Sequence, residues 1–185
     1  MFGLFKRKKP YEQQAWDVFD TIQKQSRKPE FYTDLGVPDT TEGRFDVLVL
    51  HMFMVMENLK ANEAGQEFSQ ELFDVAFQNI DQGYREIGVG DMGIPKRMKK
   101  LMLGFNGRVH AYHESLDQNN DQAFKEALER NLYYSADETP DNLDQKLDLW
   151  LVYIKGNIEY LHSIGSEAIM AGNVQFKNLE EIKVR

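Results

Sequence analysis

His110 and His113 stand three residues apart, a spacing that can place both imidazoles on one face of a helix. Two histidines are half of a tetrahedral metal site, and no further ligand stands out beside them. Asp74 and Asp81 are seven apart, about two helical turns, so they also share a face. That separation is too wide for a chelating i,i+4 pair, and no His-x-x-Glu accompanies it. They read as solvated acids or as partners for Arg85 and nearby lysines. His51 is a lone imidazole inside an apolar run and reads as a hydrogen-bonded core residue. The chain has no cysteine, which removes disulfides, thiol nucleophiles and thiolate metal sites. The stretch GVGDMG has the glycines of a phosphate-binding turn, but no Gly-Lys-Ser or Gly-Lys-Thr follows it. Tyr, His, Asp and Arg are all present, yet no spacing defines a nucleophilic triad, a metal cage or a cofactor cradle. The expectation is a protein without a catalytic site and without a cofactor.

Binding chemistry is better represented. Lys96, Arg97, Lys99 and Lys100 form a dense positive cluster directly after a Gly/Pro bend. Gly88, Gly90 and Gly93 punctuate that bend, and Ile94 precedes Pro95, which biases Ile94 away from helical geometry. Pro95 fits the first turn of the next helix, where a missing N–H costs nothing. Ile87, Val89, Met92 and Ile94 read as apolar anchors that hold the bend. Two readings stand side by side: a simple helix connection with a solvated basic face, or a rigid recognition loop with a basic rim. Arg85 and Arg108 flank it, either as directed hydrogen-bond donors to a partner or as pins. The pin reading pairs Arg44, Arg85 and Arg108 with Asp46, Glu86 and Asp91. A second basic cluster, Lys6, Arg7, Lys8 and Lys9, follows Phe2, Leu4 and Phe5. It reads either as an unordered terminus or as a reversible contact with an anionic membrane surface.

The net charge is −8, from 22 basic and 30 acidic residues, which argues against nucleic acid as a primary ligand. The 185 residues suit one domain with one sizeable core. No apolar segment is long enough to cross a bilayer.

Helices must position these groups. Tyr11, Ala15, Val18, Phe19 and Ile22 repeat at helical spacing, and Trp16 widens the stripe. Phe31 and Tyr32 sit in a connection and read as satellite packing. From Phe45 to Leu59 apolar residues occupy nearly every face, which predicts a buried helix capped by Thr40 or Thr41. Further helices are predicted over about residues 66–86, 95–116, 121–132 and 143–163. Gly104 and Gly107 interrupt one of them, for close packing or for a kink. The fold class is all-α: a single-domain, irregular bundle of about six or seven helices. Residues 1–9 form a basic-hydrophobic tail, 10–171 the helical domain and 172–185 a C-terminal tail.

Two segments resemble the ubiquinol–cytochrome c chaperone family, which includes mitochondrial assembly proteins of the cytochrome bc1 complex and bacterial relatives. FYTDLGVPDTTEGRFDVLVLHMFMVMENL places Gly36, Pro38, Asp39, Thr40, Arg44, Phe45, Asp46 and His51 on the family pattern. YREIGVGDMGIPKRMKKLMLGFNGR does the same for Arg85, Glu86, Gly88, Val89, Gly90, Asp91, Lys96, Arg97, Lys99, Gly107 and Arg108. With the helix between them, the resemblance covers roughly residues 32–116. Asn106 departs from it, where family members commonly carry an aromatic residue, as does Gly83, which replaces a bulkier apolar one.

The resemblance implies an assembly chaperone, not an enzyme. It would transiently bind immature cytochrome b during biogenesis of the ubiquinol–cytochrome c reductase complex. A small assembly partner or the ribosome are further partners implied. The partner-binding residues would be Arg85, Asp91, Lys96, Arg97, Lys99, Lys100 and Arg108. The chain starts without a mitochondrial transit segment, which points to the bacterial cytoplasm, with peripheral contact at the inner face of the membrane. Two other classes compete: a non-catalytic helical scaffold in a soluble complex, and an enzyme of unknown reaction.

Overall fold

Thr40 starts the central helix. Its side chain accepts a hydrogen bond from the Gly43 N–H at 3.1 Å, so of the two candidate threonines it is the cap. Asn62 and Asn120 cap two later helices in the same way, through the N–H groups of Gly65 and Ala123. A Cβ on Gly43 would lie 2.1 Å from the Pro38 carbonyl oxygen, and one on Gly65 equally close to that of Leu59. Glycine is required at both because the entering chain folds back against the first helical turn.

The computed structural model of the protein describes residues 10–90, 92–134, 136 and 140–183, with 182 and 183 described by backbone alone. The elements are α1 (Glu12–Ser26), α2 (Glu30–Thr33), α3 (Thr41–Glu57), α4 (Glu63–Glu86) and α5 (Ile94–Asp117). They continue as α6 (Asp121–Leu132), α7 (Leu143–Ile164), α8 (Ser166–Met170) and α9 (Leu179–Lys183). Among the described residues there is no strand. Six helices are long, in line with the expected six or seven; α8 falls where the sequence allows one added turn at residues 166–171, and α2 and α9 are short additions that carry too little periodicity to be read in advance.

The core is built around α3. Its residues from Asp46 through Val55 are all buried, so it has no solvent face, as its all-round apolar pattern predicts. Helices α1, α4, α5, α6 and α7 surround it. Phe31 departs from the expected satellite role. It is fully buried, with its ring stacked on Trp150 at 5.1 Å and its edge toward His51 and Tyr153. Trp150 Nε1 donates to the Tyr133 hydroxyl at 3.2 Å, which donates to the Leu35 carbonyl at 2.7 Å. Burial pushes the Tyr133 phenol up to about 12, so it stays a donor.

His51 is a fully satisfied core residue. Nδ1 lies 2.8 Å from the Val47 carbonyl oxygen, which can only accept, so Nδ1 carries the proton. Nε2 then accepts from the Tyr153 hydroxyl at 2.9 Å, and Gln25 donates to that same oxygen at 2.9 Å. Burial lowers the imidazole to about 4 and keeps it neutral. The segment after Gly172, set apart in the sequence as a tail, packs back on α7. Asn157 clamps its backbone, accepting from the Lys177 N–H at 2.8 Å and donating to the Lys177 carbonyl at 3.3 Å. Val174 and Leu179 are buried, and Phe176 sets its edge on His51.

Candidate functional site

The bend between α4 and α5 is a built turn. Val89 N–H bonds the Tyr84 carbonyl at 3.0 Å and Gly88 N–H bonds that of Arg85 at 3.1 Å. Gly88 has φ +81°, so these two bonds form a Schellman motif with glycine in its left-handed position. Tyr84 and Val89 pack together against the core. The chain then closes through Gly93 N–H to the Gly90 carbonyl at 2.8 Å, and Pro95 sits in the first turn of α5.

Two of the four expected anchors do not anchor. Val89 and Ile94 pack inward, with Ile94 only 1% exposed. Ile87 is 76% exposed and Met92 is 97% exposed. The α4 C-cap and the turn leave them no room against the core, because Val89 and Ile94 already fill it.

The predicted partner-binding residues divide into two places. Lys96, Arg97, Lys99 and Lys100 are exposed on the first turns of α5. None of them forms an ion pair with a described residue; the Arg97 guanidinium lies over the Tyr84 ring at 5.7 Å. Arg85 sits beside them and bonds Asp81 at 2.7 Å. Asp91 lies outside the described residues, as do Phe2, Leu4, Phe5, Lys6, Arg7, Lys8 and Lys9.

Arg108 is not part of this cluster. It lies about 20 Å along α5 from Ile94. There it meets the buried Asp46 of α3 at 2.6 Å, with only 21% of its side chain exposed. It also bends back to donate to the Gly104 carbonyl at 3.0 Å. A Cβ on Gly104 would come within 2.8 Å of that guanidinium, so Gly104 makes room for Arg108 and not for a partner helix. The pin reading holds for Arg108 with Asp46. Arg44 instead pairs with Asp39 at 2.5 Å, Glu86 accepts from Gln82 at 2.9 Å, and Arg85 bonds Asp81, while Asp91 lies outside the described residues.

A second feature was not read from the sequence. Helices α3, α4 and α5 line an open cleft of about 500 Å³. Its floor is apolar: Phe53, Met56, Phe73, Phe105 and Val109. Phe105 meets Phe73 edge-on at 5.1 Å, and Phe73 meets Phe77 at 4.3 Å. Gln66, Ser69, Gln70 and Asn106 form a polar rim. Periodicity assigns those aromatics to a core stripe, and nothing in it reveals a cleft between the neighbouring helices.

The mouth of the cleft carries a charge network. Lys60 lies 2.5 Å from Glu57 and 3.1 Å from Asp117, with His113 Nδ1 at 3.4 Å. His113 in turn reaches Glu57 and Asp117 at 3.1 and 3.2 Å. Burial lowers Lys60, but its hydrogen bonds to the two carboxylates outweigh that and hold it above the ordinary lysine value. Lys60 holds Asp117 below the usual carboxylate range by hydrogen bonding. Glu57, His113 and Asp117 have the types and proximity of a metal trio. The cation among them is the Lys60 ammonium. His110, which shares a helical face with His113, points instead to Glu114 at 3.7 Å.

The described residues form a helical domain with an apolar cleft on one side of α5 and a cationic turn at its start. The chain belongs to the ubiquinol–cytochrome C chaperone family, whose model matches residues 33–176. Both resembling segments lie almost wholly within that match. The chain is similar to the ubiquinol-cytochrome-c reductase complex assembly factor 1 of Xenopus laevis, at 23% identity over 154 residues, covering 82% of this chain and 74% of that protein. The Mus musculus and Homo sapiens proteins of that name are 24% and 25% identical over the same share of this chain, which spans 50% of their length. Among solved structures, the Cbp3 homolog from Brucella abortus is 35% identical with a TM-score of 0.78, covering 96% of this chain and 97% of that one. The single all-helical domain therefore has a Cbp3-like fold. None of the described helices is long and apolar enough to cross a membrane.

Proposed function

We propose that the protein is a non-catalytic assembly chaperone that transiently binds immature cytochrome b while the ubiquinol–cytochrome c reductase complex is built. The family supports the process. The observation that carries the client is the α3–α4–α5 cleft, with its aromatic floor and a rim that sets the neutral Gln66, Ser69, Gln70 and Asn106 beside the Lys60–Glu57–His113–Asp117 network. A membrane protein awaiting assembly exposes apolar helix faces. A helix is about 10 Å across, so the cleft takes side chains from one face and not the whole helix. Partial burial gives modest affinity and fast release, which a chaperone must have. The rim amides of Gln66, Gln70 and Asn106 can meet client backbone groups left unpaired. The work is done at the inner face of the bacterial cytoplasmic membrane. There the ribosome or a small assembly partner can deliver the client.

The test is loss of the gene, followed by cytochrome b abundance and bc1-complex activity. Both are expected to fall, and the wild-type chain restores them. A variant with the cleft filled, Ser69→Trp with Asn106→Trp, folds but does not restore them. Normal abundance and activity without the gene would remove the assembly role.

A further inference from the structure

The turn and the first half of α5 hold a feature that the cleft does not use. Five large apolar side chains stand exposed among the described residues, and three of them (Ile87, Met92 and Leu103) fall in this one hairpin. Single exposed apolar residues are ordinary; a concentration of them beside unpaired charge is not. Residues 96, 99, 100 and 103 follow the i, i+3, i+4, i+7 pattern. Leu103, 64% exposed, therefore continues the stripe of Lys96, Lys99 and Lys100. Ile94, Met98 and Phe105 occupy the opposite, buried face of the helix. At the turn, Met92 and Arg97 line one open depression with Val89 and Gly93.

The charge here has no carboxylate partner among the described residues. Lys96, Arg97, Lys99 and Lys100 lie at the positive end of the α5 dipole, and no described carboxylate pairs with them. Asp81 is held by Arg85, and Glu86 accepts from Gln82. The rest of the chain is strongly acidic, the net charge being −8. An anionic surface therefore attracts this end and repels most others, which orients the molecule.

We propose that the α4–α5 turn and the exposed stripe of α5 dock on an anionic phospholipid bilayer. Ile87, Met92 and Leu103 enter the interface between the head groups, and the four cations lie over the phosphates. A bilayer fits better than an acidic protein segment. Ile87 and Leu103 stand exposed on the surface, and the depression that Met92 lines is open. Flexible lysines on a smooth helix face match mobile head groups, where a folded partner would need fixed complementary pockets. The proposal deepens the membrane location given above and does not need the client reading.

Vesicle flotation of the full chain, with no client present, tests it. Binding is expected to vesicles of phosphatidylcholine with phosphatidylglycerol, and not to phosphatidylcholine alone. Replacing Lys96, Arg97, Lys99 and Lys100 by Gln should weaken binding roughly fivefold per charge. Ile87→Ser, Met92→Ser and Leu103→Ser together should leave binding at low salt and release it as salt rises. All seven positions are exposed, so unchanged circular dichroism and thermal midpoint certify the fold. Equal binding to both vesicle types overturns the proposal, as does wild-type binding by either variant or no binding at all. Binding that disappears only when Lys6, Arg7, Lys8 and Lys9 are neutralised assigns the contact to the N-terminal residues and also overturns it. None of these outcomes bears on the cleft.

Discussion

Arg108 and Asp46 join α5 to α3 at 2.6 Å, across 62 residues of sequence. Each belongs to a different one of the two segments that carry the family resemblance, so the pair ties the motif segments into one structure. The approach is close but imperfect: Asp46 Oδ1 and Arg108 Nε do not complete hydrogen bonds of good geometry. Burial accordingly wins over pairing and pushes the Asp46 carboxyl up to about 7, while Arg108 pulls back only part of the shift. Phe45 closes the site, with its ring 5.7 Å from the guanidinium.

Arg108→Ala leaves Asp46 buried without its counter-charge. The expected loss is about 3 kcal/mol at about pH 8, where the carboxylate is charged, and clearly less at about pH 6, where it can take up a proton. Urea unfolding at the two pH values measures the difference. A loss independent of pH would show that Arg108 contributes packing alone.

Asp46 and His51 respond to acid in opposite directions. The folded Asp46 carboxyl is raised from 3.8 to about 7, so its contribution is full below about pH 4 and is lost as pH rises toward 7. His51 is lowered from 6.5 to about 4, so the unfolded chain takes up the proton first, and stability is lost as pH falls through that window. Each slope approaches roughly 1.4 kcal/mol per pH unit at most, and between about pH 4 and 6.5 the two largely cancel. Asp46→Asn should therefore make the protein lose stability more steeply on acidification than wild type. His51→Gln should tilt the profile the other way. Parallel profiles for all three chains would contradict these assignments.

Phe31→Ala should cost about 3–5 kcal/mol, the loss for a fully buried aromatic stacked on Trp150. Ile87→Ser should stay within about 0.5 kcal/mol, because the side chain is exposed. Thermal unfolding of the pair separates a core connection from a surface one. A small effect at Phe31 would restore the satellite role that its place in a connection implies.

The contrast between those two residues also marks how far the sequence can be read. Helical periodicity defined α1, α4, α6 and α7, and the all-round apolar run of α3 announced its central place. Gly88 marked a built turn, which the Schellman bonds confirm, whereas Ile94, expected outside helical geometry before Pro95, opens α5. Periodicity has no purchase on Ile87, Val89, Met92 and Ile94, where the chain is not regular, so alternate members of one apolar run face opposite ways. Phe31 lies in a connection whose depth depends on where Trp150 ends up. The cleft depends on how α3, α4 and α5 come together, and Arg108 faces Asp46 because α5 packs on α3. Both are properties of packed helices and leave no trace in any one of them.

The client site is most directly tested by crosslinking. A photoreactive residue at Ser69 or Asn106, on the cleft rim, is carried in the full chain while cytochrome b is being synthesised. A control position at Gln122 lies on the exposed face of α6. The account predicts crosslinks to newly made cytochrome b from Ser69 and Asn106, and none from Gln122. No cytochrome b from the rim, with a soluble protein captured there instead, would contradict it and favour a scaffold in a soluble complex.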